Sequence, residues 1–273
     1  MKTLYISDLD GTLLNENALL SKETEDGLNR LLDKNVYFSV ATARTHATVT
    51  KMLENVKLTV PVVLMNGVAI YDLSKKKYVS AESISKNGRN VLFSTIRNHI
   101  GSGFVYCIDN HELSTYYENT SSPNAKQFIE EREQIYKKKF TKVESFNECM
   151  NKNVVYFSID DKKEKLENAY KIISECSDLH AEFYRDIYNT DHWYLEVCSC
   201  NASKKNAVNT LKKIYGFEKV ISFGDNLNDI PMFEASDEAY AVMNAKEEVK
   251  NKATGIIDSN INNGVVKFIE SKI

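Results

Sequence analysis

Leu4-Tyr5-Ile6-Ser7-Asp8-Leu9-Asp10-Gly11-Thr12-Leu13-Leu14 puts two carboxylates one residue apart at the end of a short apolar run. Leu4-Tyr5-Ile6, bounded by turn residues, reads as a buried strand. Open parallel sheets bind ligands in the crevice beyond the carboxyl ends of their strands, so a strand that ends in charge is expected to end there. Two anionic groups this close need a cation, a proton or water to coexist.

Outward from this stretch, apolar runs alternate with helical patterns. Val36-Tyr37-Phe38-Ser39-Val40 and Val60-Pro61-Val62-Val63-Leu64-Met65 read as strands buried on both faces. Thr24, Leu28, Leu31 and Leu32 share one stripe of an amphipathic helix before the first of them, and Asn35 stands where a left-handed C-terminal cap is expected. That is a β-α-β unit, the building block of a parallel sheet. The same grammar returns near the C-terminus: a helix over about 203–215, a strand over 219–223, and the turn Gly224-Asp225-Asn226-Leu227-Asn228-Asp229. A helix with Pro231 in its first turn follows, then strands at 240–242 and 255–257 and a last helix after Gly264.

The middle of the chain reads differently. Ser122-Pro123 mark a helix start, and Ser145 with Glu148 forms a capping box. Strands such as Phe104-Val105-Tyr106-Cys107-Ile108, 154–159 and 192–197 are interleaved, some in pairs too close for a crossover helix, which implies antiparallel pairing. The expected organisation is an α/β core domain, residues 1–82 and 200–273, with an α+β domain of residues 83–199 inserted into it.

Bulk properties narrow the function. At 273 residues the chain suits one or two domains of roughly 150 residues each. Its 35 Lys and Arg against 38 Asp and Glu give no general pull toward nucleic acid. Cys107, Cys149, Cys176, Cys198 and Cys200 form a scattered, odd set without Cys-x-x-Cys spacing, and the N-terminus enters its first strand with no leader pattern. Both point to a cytoplasmic protein. No apolar stretch approaches the roughly 18 residues of a membrane span. Cys198 and Cys200 fall on one face of a strand, but zinc needs three or four ligands and no histidine neighbours supply them. Lys75-Lys76-Lys77 reads as a solvated hairpin turn and Lys137-Lys138-Lys139 as a cationic helix end. Neither alternates with aromatics as a nucleic-acid platform would.

Three strand ends should converge at one sheet edge, carrying Asp8 and Asp10, then Thr42 and Arg44, then Asp225, Asn228 and Asp229. Such carboxylates suit a hard divalent cation, and Mg²⁺ with a substrate phosphate fits. In the helix after Ser203 the apolar positions are Ala207, Val208, Leu211, Ile214 and Tyr215. Lys204, four residues before Val208 and seven before Leu211, lies on that inward stripe, whereas Lys205 shares a face with Asn209 and Lys212 and points to water. An inward lysine at this edge needs an anion.

These residues resemble the haloacid dehalogenase superfamily, and within it the Cof-type sugar-phosphatase-like branch. The match runs through Asp8-Leu9-Asp10-Gly11-Thr12-Leu13-Leu14, Ala41-Thr42-Ala43-Arg44, Asn66-Gly67, Ser203-Lys204, Gly224-Asp225-Asn226-Leu227-Asn228-Asp229-Ile230-Pro231-Met232, Ala241-Val242-Met243-Asn244-Ala245 and Asn262-Asn263-Gly264-Val265. Two positions depart from the usual pattern: Ala43 replaces a glycine, and a glycine between Met243 and Asn244 is absent. The resemblance implies a Rossmann-like parallel-sheet core with an inserted α+β cap. The expected cap order is helix-strand-strand, helix-strand-helix-strand, helix-strand-strand.

It also implies an Mg²⁺-dependent phosphatase acting on small phosphate monoesters through an aspartyl-phosphate. Asp8 would be the nucleophile and Asp10 the general acid and base. The metal would be held by Asp8, the Asp10 carbonyl and Asp225. Thr42, Lys204, Asn228 and the backbone N–H groups of Leu9 and Ala43 would hold phosphate, and Asp229 would orient Lys204 or a metal-bound water. Arg44, Asn66, Arg185 and His192 are candidate substrate contacts, with Tyr184, Tyr188 and Trp193 near the cap's return; for Arg44 a salt bridge stays open. The partner is a small-molecule phosphate ester, with no nucleic acid and no membrane, and the oligomeric state is left open. Two alternatives remain: a phosphosugar mutase of the same superfamily, and a non-catalytic sugar-phosphate sensor.

Overall fold

Strand β1 (Thr3–Ser7) buries Leu4 and Ile6 completely and sits in the middle of a sheet. In chain order it is followed by α1 (Lys22–Asp33), β2 (Tyr37–Val40), α2 (His46–Met52), β3 (Val62–Leu64), β4 (Ala69–Asp72) and β5 (Lys77–Ala81). Next come α3 (Lys86–Thr95), β6 (Phe104–Asp109), β7 (Glu112–Tyr117), α4 (Pro123–Tyr136), β8 (Phe140–Lys142), β9 (Val154–Lys162), α5 (Lys163–Ser174), β10 (Leu179–Arg185) and β11 (His192–Ser199). The chain closes with α6 (Lys204–Tyr215), β12 (Lys219–Gly224), α7 (Ile230–Glu234), β13 (Glu238–Val242), α8 (Glu247–Lys250), β14 (Gly255–Ile257) and α9 (Gly264–Glu270). This computed structural model describes residues 1–119, 123–136, 138–186 and 191–273. By its internal contacts the chain divides into one unit of Met1–Ser80 with Ser203–Ile273 and another of Ala81–Ala202.

The first unit carries a parallel sheet in the order β14-β13-β12-β1-β2. Ser7 lies level with Val40 on one side and Phe223 on the other. The chain therefore leaves all three strands at the same edge, with Asp8, Ala41-Thr42 and Gly224-Asp225 side by side. Ser21 caps α1 by accepting from Thr24 N, and Asn35 takes the expected left-handed conformation after it (φ 61°). Strand β3 is buried but pairs antiparallel with β4 in a separate small sheet, β3-β4-β5. It meets the large sheet through one bridge, Ala41 to Val63. Pro61 has no N–H to give a ladder, so pairing begins only beyond it.

The second unit is a six-stranded sheet, β10-β11-β9-β6-β7-β8, antiparallel throughout except between β7 and β8. Alternate residues Phe157 and Ile159 of β9 and Leu195 and Val197 of β11 face Leu92 and Phe93 of α3 and Leu166, Ala169 and Ile173 of α5. Asn110 and His111, both at positive φ, close the β6–β7 hairpin in two residues. The element order is the one the resemblance implies, with a 3-10 turn at Phe146–Cys149 as the short helix between β8 and β9.

Several expectations are corrected. The Ser145/Glu148 capping box is present, but it caps that single 3-10 turn, whose Phe146 and Cys149 are buried. Ile214 is 52% exposed rather than inward. Ten residues at ~100° each rotate it about 80° away from Lys204. Strand β11 ends at Ser199, so exposed Cys200 leaves the sheet while Cys198 stays buried on it. Lys77 belongs to β5 rather than to the turn. Lys138 is half-buried, and burial, joined by the like charge of Arg132, pulls its ammonium down to about 8. Ser122, Lys137 and Tyr188 lie outside the described residues. Among the described residues no helix is long and apolar enough to cross a membrane.

Candidate active site

Asp8 leaves β1 still tied to the sheet, its N–H donating to Phe223 O at 2.9 Å. The chain then turns back on itself, because Leu9 O accepts from the N–H groups of Leu13 and Leu14 at 3.0 and 2.8 Å. Gly11 makes the turn possible in two ways. Its φ is +79°, and a β-carbon there would lie 2.5 Å from Asp225 Oδ2. Next to it Thr12 Oγ1 donates to Asp225 Oδ1 at 2.7 Å. The loops after β1 and β12 are thereby joined at Asp225.

The turn after β12 buries Asp229. A β-carbon on Gly224 would meet the Asp229 side chain at 2.6 Å, so only glycine lets that carboxylate fold under its own loop. Asp229 Oδ2 accepts from the N–H groups of Asp225 and Asn226 at 2.9 and 3.0 Å, and Oδ1 accepts from Lys204 Nζ at 2.6 Å. Lys204 stands in the first turn of α6, which Ser203 caps by accepting from Asn206 N. Its side chain is 1% exposed and Nζ also donates to Asp8 Oδ1 at 2.6 Å. The inward stripe read from the sequence thus ends between two carboxylates.

Oxygens of Asp8, Asp225 and Asp229 lie within 4.8 Å of one another. Burial pushes the Asp8 carboxyl up to about 8; Lys204 opposes this, and the like charge of Asp229 adds to it. Burial also lifts Asp225 to about 6, against the hydrogen bond from Thr12. Burial works against the Lys204 ammonium, but Asp8 and Asp229 outweigh it and hold the lysine above its ordinary value. Burial is the larger cause for the two carboxyls and the paired carboxylates for the lysine; three carboxylates around a single ammonium leave the site short of positive charge. Its donors are hard carboxylate oxygens, which fit a divalent cation such as Mg²⁺. Both Asp229 oxygens are already engaged by Lys204 and by backbone N–H groups, which leaves Asp8 and Asp225 as the carboxylates able to hold one.

Asp10 points elsewhere. Arg44 Nε donates to its Oδ2 at 2.7 Å and Arg44 Nη2 to its Oδ1 at 2.6 Å. The carboxyl that the sequence leaves free is held by a bidentate pair. Thr42 is fully buried at the end of β2, and its Oγ1 accepts from Arg44 N at 3.2 Å. Ala43 is exposed and is not among the residues with positive φ, so alanine fits where the family usually has glycine. Asn228 Nδ2 donates to Asn66 Oδ1 at 3.1 Å. Asp8, Asp10, Leu9, Thr42, Ala43, Arg44, Asn66, Lys204, Asp225, Asn228 and Asp229 all belong to the first unit.

Arg185 and His192 belong to the second unit. His192 Nδ1 is 2.7 Å from Asp160 Oδ1, and Arg185 ends β10 opposite Trp193. Trp193 itself packs on Phe183, ring centroids 4.7 Å apart, with Lys163 over its ring. Two residues of the first-unit site had no role from sequence. Thr12 follows Gly11 in the quoted motif, where a turn hydroxyl has ready local explanations. Asn244 Nδ2 donates to Gly11 O at 2.7 Å while its Oδ1 accepts from Asn260 N, tying a third loop to the turn after β1. The signal for each was its place in a stretch that carries the resemblance, Thr12 in residues 8–14 and Asn244 in residues 241–245.

Comparison with known proteins finds relatives that span nearly the whole chain. The family described as haloacid dehalogenase-like hydrolase matches residues 5–269. The 5-amino-6-(5-phospho-D-ribitylamino)uracil phosphatase YwtE of Bacillus subtilis is 25% identical, over 99% of this chain and 97% of its own. The pyridoxal phosphate phosphatase YbhA of Escherichia coli is 26% identical, over 97% of each. In three dimensions the chain is similar to a crystal structure from Thermotoga maritima, with a TM-score of 0.78 at 22% identity over 99% of this chain and 97% of that one.

Proposed function

The chain belongs to the haloacid dehalogenase-like hydrolases, and from that membership we propose a magnesium-dependent phosphatase of small phosphorylated metabolites, working through an aspartyl-phosphate. The observation that carries this reading is the buried set of Asp8, Lys204 and Asp229 with Asp225 beside it. Simple anion binding needs a lysine but not three carboxylates around it. A phosphoryl-transfer site needs both, a nucleophile and the charges that steady it.

An Asp8 oxygen attacks phosphorus as the ester P–O bond breaks, and Asp10 passes a proton to the departing alkoxide. Asp10 then takes a proton from the water that attacks the acyl phosphate, which frees Asp8 and inorganic phosphate. Lys204, Thr42, Asn228 and the N–H groups of Leu9 and Ala43 hold the phosphoryl oxygens through both steps. Asp229 keeps Lys204 aimed at Asp8. The Asp8 and Asp225 carboxylates, with the Asp10 carbonyl, would hold magnesium, which would supply charge neutralisation at the phosphoryl group. Relatives named for pyridoxal phosphate and for a phosphoribitylamino-uracil favour a phosphorylated small metabolite as substrate.

The test is phosphate release from p-nitrophenyl phosphate with magnesium, wild type beside Asp8→Asn. Loss of turnover in the variant and in EDTA is expected. Equal turnover in the two proteins would remove Asp8 as the nucleophile.

A further inference from the structure

Asn66 is the middle of three consecutive left-handed residues, with φ of 49° at Met65, 52° at Asn66 and 101° at Gly67. Gly and Asn tolerate this region, but a buried Met enters it only when surrounding structure compels it. What the loop holds supplies the reason. Met65 N donates to Arg44 O at 3.1 Å and Asn66 N to Thr42 O at 3.0 Å. A β-carbon on Gly67 would collide with the Ser203 carbonyl and come within 2.7 Å of Lys204 N. Asn66 Oδ1 takes the amide of Asn228. One three-residue loop therefore touches Thr42, the first turn of the helix bearing Lys204, and Asn228.

The Asn228 amide is only half satisfied. Its Nδ2 is spent on Asn66, and its Oδ1 is buried without a partner. A phosphoryl oxygen accepts hydrogen bonds, so the useful end of Asn228 is Nδ2 and the unpaired carbonyl is the wrong end to offer. Asn66 carries an Nδ2 of its own. When both amides turn over, Asn66 Nδ2 donates to Asn228 Oδ1, and Asn228 Nδ2 takes the buried place where the carbonyl had no partner, a donor there for a phosphoryl oxygen. One hydrogen bond joins the two amides before and after.

Resting on the phosphatase reading above, we propose that Asn66 is a positioning residue that sets which end of Asn228 faces the phosphoryl group. It acts through Asn228 rather than by touching the leaving group. A leaving-group contact is invisible to inorganic phosphate, which has none, and this separates the two roles.

The experiment measures inorganic phosphate as a competitive inhibitor of p-nitrophenyl phosphate hydrolysis, with thermal melts alongside. Asn66→Gly keeps the left-handed backbone and removes only the amide. The inhibition constant is expected to rise about tenfold in Asn66→Gly and in Asn228→Ala, with no further rise in the double variant. An unchanged constant in Asn66→Gly, or effects that multiply in the double variant, overturns the inference. An unchanged constant in Asn228→Ala removes Asn228 from the phosphate site, and the inference falls with that assignment while Asp8 chemistry stands.

Discussion

Arg44 grips both carboxylate oxygens of Asp10 at 2.6 and 2.7 Å, while its own backbone is tied to Thr42 Oγ1 and Met65 N. The guanidinium fork fixes the plane of the carboxyl group as well as its distance. With both oxygens accepting, Asp10 has its donor direction blocked; under the proposed mechanism the pair would orient the group between turnovers and would have to loosen for it to pass a proton. An arriving phosphoryl dianion offers Arg44 an alternative partner of the same geometry. Arg44→Ala is expected to lower kcat/KM about tenfold on alkyl phosphates, whose leaving groups need a proton, and much less on p-nitrophenyl phosphate. Asp10→Asn should follow the same pattern with a loss of about a hundredfold. Arg44→Lys, which keeps charge without the fork, should resemble the alanine variant. Equal losses on alkyl and aryl esters would show that Arg44 does not act through Asp10.

The excess of buried carboxylate has a pH signature. Asp8 and Asp225, raised to about 8 and about 6 chiefly by burial, bind protons more tightly folded than unfolded. The stability they contribute is greatest below their unfolded values near pH 4 and is lost as pH rises through 6 and then 8. In EDTA, Asp8→Asn and wild type should therefore have similar urea midpoints below about pH 4, with the variant increasingly the more stable toward about pH 8. Magnesium should close that gap, because it binds and stabilises the folded wild type. A variant less stable than wild type at the higher pH in EDTA would contradict this account of the site.

Legibility from sequence follows the range of the forces involved. Lys204 was readable because a helix converts spacing into direction, and positions four and seven residues from Val208 and Leu211 share its face. The convergence of Asp8, Thr42 and Asp225 was readable because parallel sheets align strand ends. Arg44 gripping Asp10 was not, since 34 residues separate them and rotamers decide the contact. The left-handed run at Met65–Gly67 was hidden for a similar reason. Met carries no turn signal, although Asn66-Gly67 does, and long-range hydrogen bonds to Arg44 O and Thr42 O hold that backbone with Gly67 close against Ser203. Ile214 misled because an apolar residue at a helix edge costs little when exposed.

Two glycines separate backbone conformation from close packing. Gly67 and Gly101 both have positive φ, but a β-carbon at Gly67 collides with Ser203 whereas nothing lies within 4 Å of one at Gly101. Gly101→Ala should cost about 1 kcal/mol, the conformational term alone. Gly67→Ala should cost about 3 kcal/mol or more and also weaken phosphate binding, because it pushes on the turn that carries Lys204. Urea unfolding of both variants checks the difference, and equal losses would mean that the contact with Ser203 is not limiting.

Asp72 provides the opposite pH signature at the far end of the first unit's small sheet. Its Oδ1 accepts from Ser74 Oγ at 2.7 Å and Lys75 N at 2.9 Å, and Lys75 Nζ lies 3.1 Å from Oδ2. Burial pushes this carboxyl up, but the hydrogen bonds from Ser74 and Lys75 outweigh it and hold the group below the usual carboxylate range. A depressed value stabilises the fold above the unfolded pKa near 4, and that stability is lost as pH falls through the lower folded value. Asp72→Asn should therefore melt below wild type at neutral pH, with the gap closing under acid conditions. Lys75→Met should matter little, because the Lys75 ammonium is largely exposed and the backbone and hydroxyl donors remain. Thermal melts across the acid range decide the point: a gap that stays constant with pH would mean that the side chain acts through its shape rather than its charge.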